Sequence, residues 1–79
     1  MKIEKEVKAV IAEITAADKI DLTDRLADDL GMDSLSTVSM FVMLEERLEI
    51  TFDESDMDMS EIETVEDVVR LTEKSMESV

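Results

Sequence analysis

The chain lacks cysteine, histidine and proline altogether, and Gly31 is its single glycine. Without cysteine it can form neither a disulfide nor a thiolate metal site. Without histidine it lacks the commonest general base and the commonest transition-metal ligand. Proline and glycine usually indicate turns and helix ends, and this chain has almost none of either. Its helices and loops are therefore predicted from hydrophobic periodicity and polar clusters.

Long hydrophobic runs are missing as well. No apolar run is long enough to cross a bilayer, and the charged N-terminal stretch MKIEKEVKAVIAEI has no signal-peptide core. The net charge of −14 repels nucleic acid and anionic lipid and attracts basic protein surfaces. Most of that charge lies in residues 26–79, which hold 16 acids and three bases. We therefore expect a soluble, cytoplasmic protein with basic protein partners and no nucleic-acid partner.

The length of 79 residues is that of one small domain, which we place at 1–79. A hydrophobic fraction of 44% favours a globular fold over disorder, despite the charge. The start at Met1 and the complete set of predicted helices favour a free-standing protein. We also expect it to be a monomer.

Hydrophobic periodicity predicts an all-α fold, a small helical bundle with three main helices, one short helix and a long first loop. The first helix is predicted at 2–17, the second at 34–48 and the short one at 56–62. Thr64 is predicted as the N-cap of the last helix, with Asp67 replacing the usual Glu or Gln of a capping box.

The loop over 18–33 is expected to pack against the core, with Gly31 ending a helical turn in the left-handed conformation. Buried positions predicted in the first helix, the loop and the last helix are Ile3, Val7, Val10, Ile11, Ile14, Ile20, Leu22, Leu26, Leu30, Val65, Val68, Val69, Thr72 and Met76. In the acidic segment before the last helix the predicted anchors are Ile50, Phe52, Met57 and Ile62.

The helix at 34–48 has more apolar surface than one core-facing stripe requires. On a helical wheel one face carries the expected core residues, Thr37, Met40, Phe41, Leu44 and Leu48. Nearly opposite lie Leu35, Val38 and Val42, beside the acids Glu45, Glu46 and Glu49. These three apolar residues are either scattered surface positions, as on any protein, or a docking face rimmed by charge.

Ser34 stands at the predicted start of this helix, in the stretch LGMDSLSTV. A catalytic role is disfavoured, because the chain has no histidine to act as the base of the serine. Lysine or carboxylate bases remain formally possible, but no G-x-S-x-G motif surrounds the serine. Asp33 and Ser34 are both good helix N-terminal residues, so the serine could be a cap. It could also be an attachment site, because a phosphate ester there would lie near free backbone N–H groups.

The segment LADDLGMDSLSTVSMFVMLEERLEI strongly resembles the acyl carrier protein family. The family has Leu-Gly followed by Asp-Ser-Leu at the start of its second helix, and then an acidic helix containing Leu-Glu-Glu. The matching residues here are Leu30-Gly31, Asp33-Ser34-Leu35, Thr37-Val38 and Leu44-Glu45-Glu46. With the size, the acidity, the helix order and the Thr64-Val65 start of the last helix, the resemblance spans nearly the whole chain.

The resemblance implies that a phosphopantetheinyl transferase attaches 4′-phosphopantetheine to Ser34, between Asp33 and Leu35. The thiol of that group would carry acyl intermediates as thioesters, so the chain would be a carrier and not an enzyme. Partners would be acyl-transferring and acyl-modifying enzymes of fatty-acid, polyketide or specialised lipid biosynthesis. By position, Leu35, Val38 and Val42 match the family's partner-facing apolar residues, and Asp33, Glu45 and Glu46 match acids that meet basic patches.

The resemblance also implies that the bundle can hold an acyl chain between its helices. Five methionines would form an adaptable lining if they face inward, or would simply fill gaps in a small core. They are Met40, Met43, Met57, Met59 and Met76.

Some positions depart from the family pattern. Ser36 and Ser39 stand where fatty-acid carriers often have acids, and Thr51-Phe52-Asp53-Glu54 replaces the usual Ile-Pro-Asp. These departures leave the attachment site intact and leave open which enzymes the carrier serves.

Three other interpretations remain at this point. A peptidyl or aminoacyl carrier would share the attachment site, and an acidic interaction module would have no prosthetic group. An EF-hand-like calcium site starting at Asp56 would use Asp58 and Ser60, but Glu61 replaces its glycine and Asp67 its final glutamate.

Overall fold

The computed structural model describes residues 2–53 and 62–77, and within them the chain forms three α-helices. They are α1 (Lys2–Thr15), α2 (Ser34–Leu48) and α3 (Val65–Glu77). The three main helices and the all-α class are therefore confirmed. The short helix predicted over 56–62 lies outside the described residues, apart from Ile62, which is not helical.

The first helix ends two residues earlier than predicted. Ala16 adopts a left-handed backbone, φ 60°, while its N–H still donates to the Ala12 carbonyl at 2.8 Å. The Thr15 hydroxyl donates to the Ile11 carbonyl, so the last turn is held by a side chain as well. The apolar spacing alone could not locate this end, because Ala17 still packs partly against the core.

Helix α1 is the centre of the bundle. It packs against both α2 and α3, whereas those two helices hardly touch each other. Val7, Val10 and Ile11 have no exposed surface, because residues three and four apart lie on one helix face. Loop residues complete the core: the side chains of Ile20, Leu26, Met32, Ile50 and Phe52 are buried in it.

In the last turn of α3 the buried residue is not the one predicted. Val65, Val68 and Thr72 are fully buried as expected, but Met76 is 38% exposed and Ser75 is buried instead. The prediction for Met76 was wrong because burial needs a neighbouring element beside that turn, as well as a position in the apolar stripe.

The first loop packs on the bundle, as predicted. Ile20 and Leu26 are buried, and Leu22 and Leu30 are partly buried against the core. The loop also joins the start of α3, where the Arg25 and Thr64 backbones form an isolated antiparallel bridge. The first N–H groups of α3, which have no partner within the helix, donate to loop carbonyls.

Gly31 ends the helical turn of the loop, as predicted. Its φ is +66°, a conformation that favours glycine, and its N–H donates to the Ala27 carbonyl at 3.1 Å. A side chain would have open space at this position, so the backbone conformation alone accounts for the glycine. Met32 follows it and turns back into the core, with 4% of its surface exposed.

The chain leaves α2 through a third left-handed residue, Glu49, φ 54°. Beyond it, the Phe52 ring meets Phe41 edge-on, with centroids 5.0 Å apart. The Phe52 N–H donates to the Glu45 carboxylate at 2.9 Å, which ties this loop to α2. Ile50 and Phe52 are buried and Ile62 is partly buried, so these three anchors are confirmed; Met57 lies outside the described residues.

Candidate functional site

Asp33 forms the N-cap of α2. Its backbone is extended, and its Oδ1 atom accepts the Ser36 N–H at 2.8 Å. Its carbonyl accepts both the N–H and the hydroxyl of Thr37. The hydrogen bond from the Ser36 backbone, which stabilises the charged carboxylate, lowers the pKa of Asp33.

Ser34 is the first residue of α2, and its side chain is exposed. Because the Asp33 carboxylate supplies the capping bond, the Ser34 hydroxyl lies outside the cap. The sequence left two roles open for the serine, a helix cap and an attachment site. This geometry favours the attachment site, because the cap is formed by Asp33 and Ser34 is exposed.

A cavity of about 440 Å³ opens beside Ser34, between the first loop, the start of α2 and the residues before α3. Residues from all three segments line it: Arg25, Leu26, Ala27, Asp28, Met32, Asp33, Ser34, Thr37, Ile62 and Glu63. Ser34 therefore borders a space that one end of an attached group could enter.

The two faces predicted for α2 are both present. Thr37, Met40, Phe41 and Leu44 are buried, and Leu48 packs partly against the core. On the other side Leu35, Val38 and Val42 are 75%, 54% and 47% exposed. We call these three residues the apolar ridge.

The acids beside the apolar ridge differ in role. Glu46 and Glu49 are exposed, while Glu45 is half-buried and holds the Phe52 N–H. Glu45 therefore contributes to the loop structure as well as to the surface charge.

The methionines do not share one environment. Met40 is fully buried and Met43 partly buried, but Met76 is exposed and does not face inward. Met57 and Met59 lie outside the described residues.

Met32 and Arg25 are among the site residues that the sequence analysis missed. Met32 is buried and lines the cavity, and the available signal was its position after a helix-ending glycine, where an apolar residue often packs back. Arg25 also lines the cavity, and no local pattern marks its nearness to Ser34, since the path of the loop brings them together.

The described residues contain no group of three or more acids placed to hold a metal ion. Asp56, Asp58, Ser60 and Glu61 of the calcium-site interpretation lie outside those residues. Asp67, its last position, is engaged at the start of α3, where its carboxylate accepts the N–H groups of Glu63 and Thr64. Within the described ranges, none of the helices has the length and apolar character needed to span a membrane.

The sequence profile of the family described as "Phosphopantetheine attachment site" matches residues 5–72. An acyl carrier protein of Campylobacter jejuni subsp. doylei is 38% identical over 66 residues, which cover 81% of this chain and 83% of that protein. One from Thermotoga maritima is 35% identical over 77 residues, covering 95% and 93%. The chain belongs to the acyl carrier protein family. Proteins of this family carry acyl groups on phosphopantetheine and are not themselves enzymes.

A solved acyl carrier protein structure from Thermotoga maritima has the same fold, with a TM-score of 0.79 at 18% identity. The match covers 98% of this chain and 89% of that one. Family membership favours a phosphopantetheine carrier over both the calcium sensor and the module without a prosthetic group.

Proposed function

We propose that Ser34 is the attachment residue for 4′-phosphopantetheine and that residues 1–79 act as a single acyl carrier domain. The observation that carries this proposal is the exposed hydroxyl of Ser34 at the first residue of α2, outside the cap formed by Asp33. In the attachment step the Ser34 oxygen forms a phosphoester bond with the pantetheine phosphate of coenzyme A. The pyrophosphate bond of coenzyme A breaks, adenosine 3′,5′-bisphosphate leaves, and the serine proton is lost.

The residues present fit such a group. The Asp33 cap holds the start of α2. The backbone position of Ser34 is therefore fixed by the helix. The cavity beside it offers about 440 Å³. When bound, the group supplies the thiol on which acyl chains travel as thioesters, in a chain that has no cysteine of its own.

The apolar ridge and the exposed acids beside it form the proposed docking surface. An apolar patch rimmed by negative charge fits partners that bury a small hydrophobic area and carry basic side chains around it. The partners we propose are a phosphopantetheinyl transferase and acyl-transferring or acyl-modifying enzymes of fatty-acid, polyketide or specialised lipid biosynthesis. The carrier would act as a cytoplasmic monomer.

Intact mass spectrometry tests the attachment residue. The protein is incubated with coenzyme A, magnesium and a broad-specificity phosphopantetheinyl transferase, beside the variants Ser34→Ala and Ser39→Ala. Ser39 is a matched control, since it is an exposed serine on the same helix. We expect a gain of one phosphopantetheine in the parent and in Ser39→Ala, and none in Ser34→Ala.

Two results would contradict the proposal. One is a mass gain that persists in Ser34→Ala. The other is the absence of any gain in the parent with several transferases, on protein shown to be folded by circular dichroism.

A further inference from the structure

The cavity beside Ser34 is lined by several acids and one base. Asp28, Asp33 and Glu63 contribute carboxylates, and Arg25 is the one basic side chain among the described residues that line it. A negatively charged group entering this cavity would be repelled by three side chains and attracted by one. Arg25 is therefore the residue that decides whether an anion is tolerated there.

The backbone of Arg25 is firmly placed. Its N–H donates to the Asp29 carboxylate at 2.8 Å, and its carbonyl accepts the N–H groups of Asp29 and Leu30. On the other side, the bridge to Thr64 attaches it to the start of α3. The side chain therefore projects from a fixed point at the edge of the cavity, although it belongs to a loop.

The guanidinium of Arg25 is only weakly engaged. Its Nη1 atom lies 3.4 Å from Asp28 and its Nε atom 3.7 Å from Glu63, and all three side chains are more than half exposed. Exposed pairs of this kind contribute little to stability. A guanidinium has five N–H donors in a planar fork, so donors remain for a further anion.

We propose that Arg25 binds the phosphodiester through which Ser34 holds its phosphopantetheine, and so keeps the first part of that arm at the cavity. This inference rests on the proposed attachment at Ser34. A phosphodiester carries one negative charge and non-bridging oxygens that match the fork of an arginine, which binds phosphate more specifically than a lysine does. Arg25 is a positioning residue, because it touches the arm and not the acyl chain.

The placement has a consequence for delivery. The cavity is lined by Thr37 on the core side of α2, whereas the apolar ridge lies on the opposite side of that helix. An arm held by Arg25 therefore leaves the proposed docking surface free. A partner can therefore dock on this surface while Arg25 holds the phosphate.

The first test compares isotope-labelled apo and holo protein by nuclear magnetic resonance, after intact mass has confirmed the loading. We expect the Nε–Hε resonance of Arg25 to shift on conversion to the holo form. The resonance of Arg70, an exposed arginine on α3, should not shift. In ~1 M salt, where the Debye length is about 3 Å, the Arg25 shift should shrink markedly.

The second test reads the phosphate itself. In holo Arg25→Gln the ³¹P signal should narrow relative to the parent, because the freed phosphodiester moves faster. Holo Arg70→Gln removes the same charge at a distance and should keep the parent linewidth. Arg25→Lys, which preserves the charge without the fork, should give an intermediate width.

The outcomes separate this inference from the attachment proposal. If holo protein forms on Ser34 but neither the Arg25 resonance nor the ³¹P linewidth responds, Arg25 does not hold the phosphate, and the attachment proposal stands. If Ser34 is never loaded, both proposals are wrong. Equal narrowing in Arg25→Gln and Arg70→Gln would reveal a general charge effect and would also overturn the role of Arg25.

Discussion

At the scale of single residues, two aspartates define the starts of two helices. Asp33 precedes α2 and caps it directly, whereas Asp67 lies inside α3 and reaches back to the N–H groups of Thr64 and Glu63, each at 3.0 Å. The Thr64 hydroxyl accepts the Asp67 N–H in return, which completes the capping box predicted from the sequence. Backbone hydrogen bonds lower the pKa of both carboxyls. The main cause is the N–H of Thr64 at Asp67 and the N–H of Ser36 at Asp33.

The lowered pKa of Asp67 leads to a prediction about acid. In the pH range near its ordinary pKa the folded protein binds fewer protons at this carboxyl than the unfolded chain does. Its contribution to stability is therefore complete above pH ~4, the ordinary aspartate range, and is lost as the pH falls through the lower folded-state pKa. Asp67→Asn should reduce the free energy of unfolding at pH 7 by about 0.5–1 kcal/mol, since a charge at a helix N-terminus is removed.

Urea denaturation of both proteins between neutral and acidic pH measures this effect. The difference between parent and Asp67→Asn should fade as the pH falls, because a protonated aspartate is as neutral as asparagine. Asp18→Asn, at an exposed position of the first loop, serves as the control and should show little difference at any pH. A parent–variant difference that stays constant into strong acid would contradict the assigned role of Asp67.

At the scale of elements, one face of α2 packs in the core and the opposite face is exposed. Leu44 has no exposed surface, and Leu35, on the same helix, is 75% exposed. Both positions carry the same side chain in the same secondary structure. Differences between their variants therefore report on environment and not on helix propensity.

Leu44→Ala and Leu35→Ala form a matched pair for this reason. Leu44→Ala should lower the free energy of unfolding by about 2–5 kcal/mol, because a buried side chain is truncated and leaves a cavity. Leu35→Ala should change it by less than about 0.5 kcal/mol, as is usual at exposed positions. Urea denaturation followed by circular dichroism measures both.

The same pair tests the proposed docking surface. Leu35→Ala should slow phosphopantetheine transfer at limiting enzyme, because the apolar ridge loses its most exposed member. A large loss of stability in Leu35→Ala, or unchanged transfer kinetics, would count against a surface role for this residue.

At the scale of the whole molecule, charge repulsion opposes the compact state. The net charge is −14, and the molecule measures 31 × 25 × 19 Å. The Debye length is about 30 Å in 0.01 M salt and about 8 Å at 0.15 M. At low salt every acid therefore repels the others across the entire molecule, whereas at physiological salt only neighbours interact.

Ion pairs between acids and bases oppose this repulsion. Arg47 links α2 to α1 through Glu6 at 3.2 Å and Glu13 at 3.1 Å. Salt weakens such pairs too, but exposed pairs each contribute less than about 1 kcal/mol. The excess of acids over bases makes the relief of repulsion the larger effect.

We therefore expect the free energy of unfolding in urea to rise between about 0.01 M and 0.15 M sodium chloride. The variant Glu46→Gln/Glu49→Gln, with two fewer negative charges at exposed positions, should gain less stability from the same salt. Stability that falls with added salt would show that the ion pairs outweigh the repulsion.

Much of this architecture was predictable from the sequence because its signals are local. The spacing of apolar residues located the bounds of α2, and Thr64 with Asp67 located the start of α3. The left-handed Gly31 and the two faces of α2 followed from rules that act within a few residues. The predicted start of α2 also placed Ser34, the proposed attachment residue, at the first position of that helix.

The amino-acid sequence by itself determined where α2 forms, where α3 begins, which face of α2 carries the apolar ridge and how acidic the molecule is, because each depends on short-range spacing or on composition. The tertiary structure decided that Ser75 rather than Met76 is buried, since that depends on which element stands beside the last turn of α3. It alone brought Arg25 to the cavity of Ser34, because the loop is held against Thr64 by backbone hydrogen bonds between residues far apart in the chain.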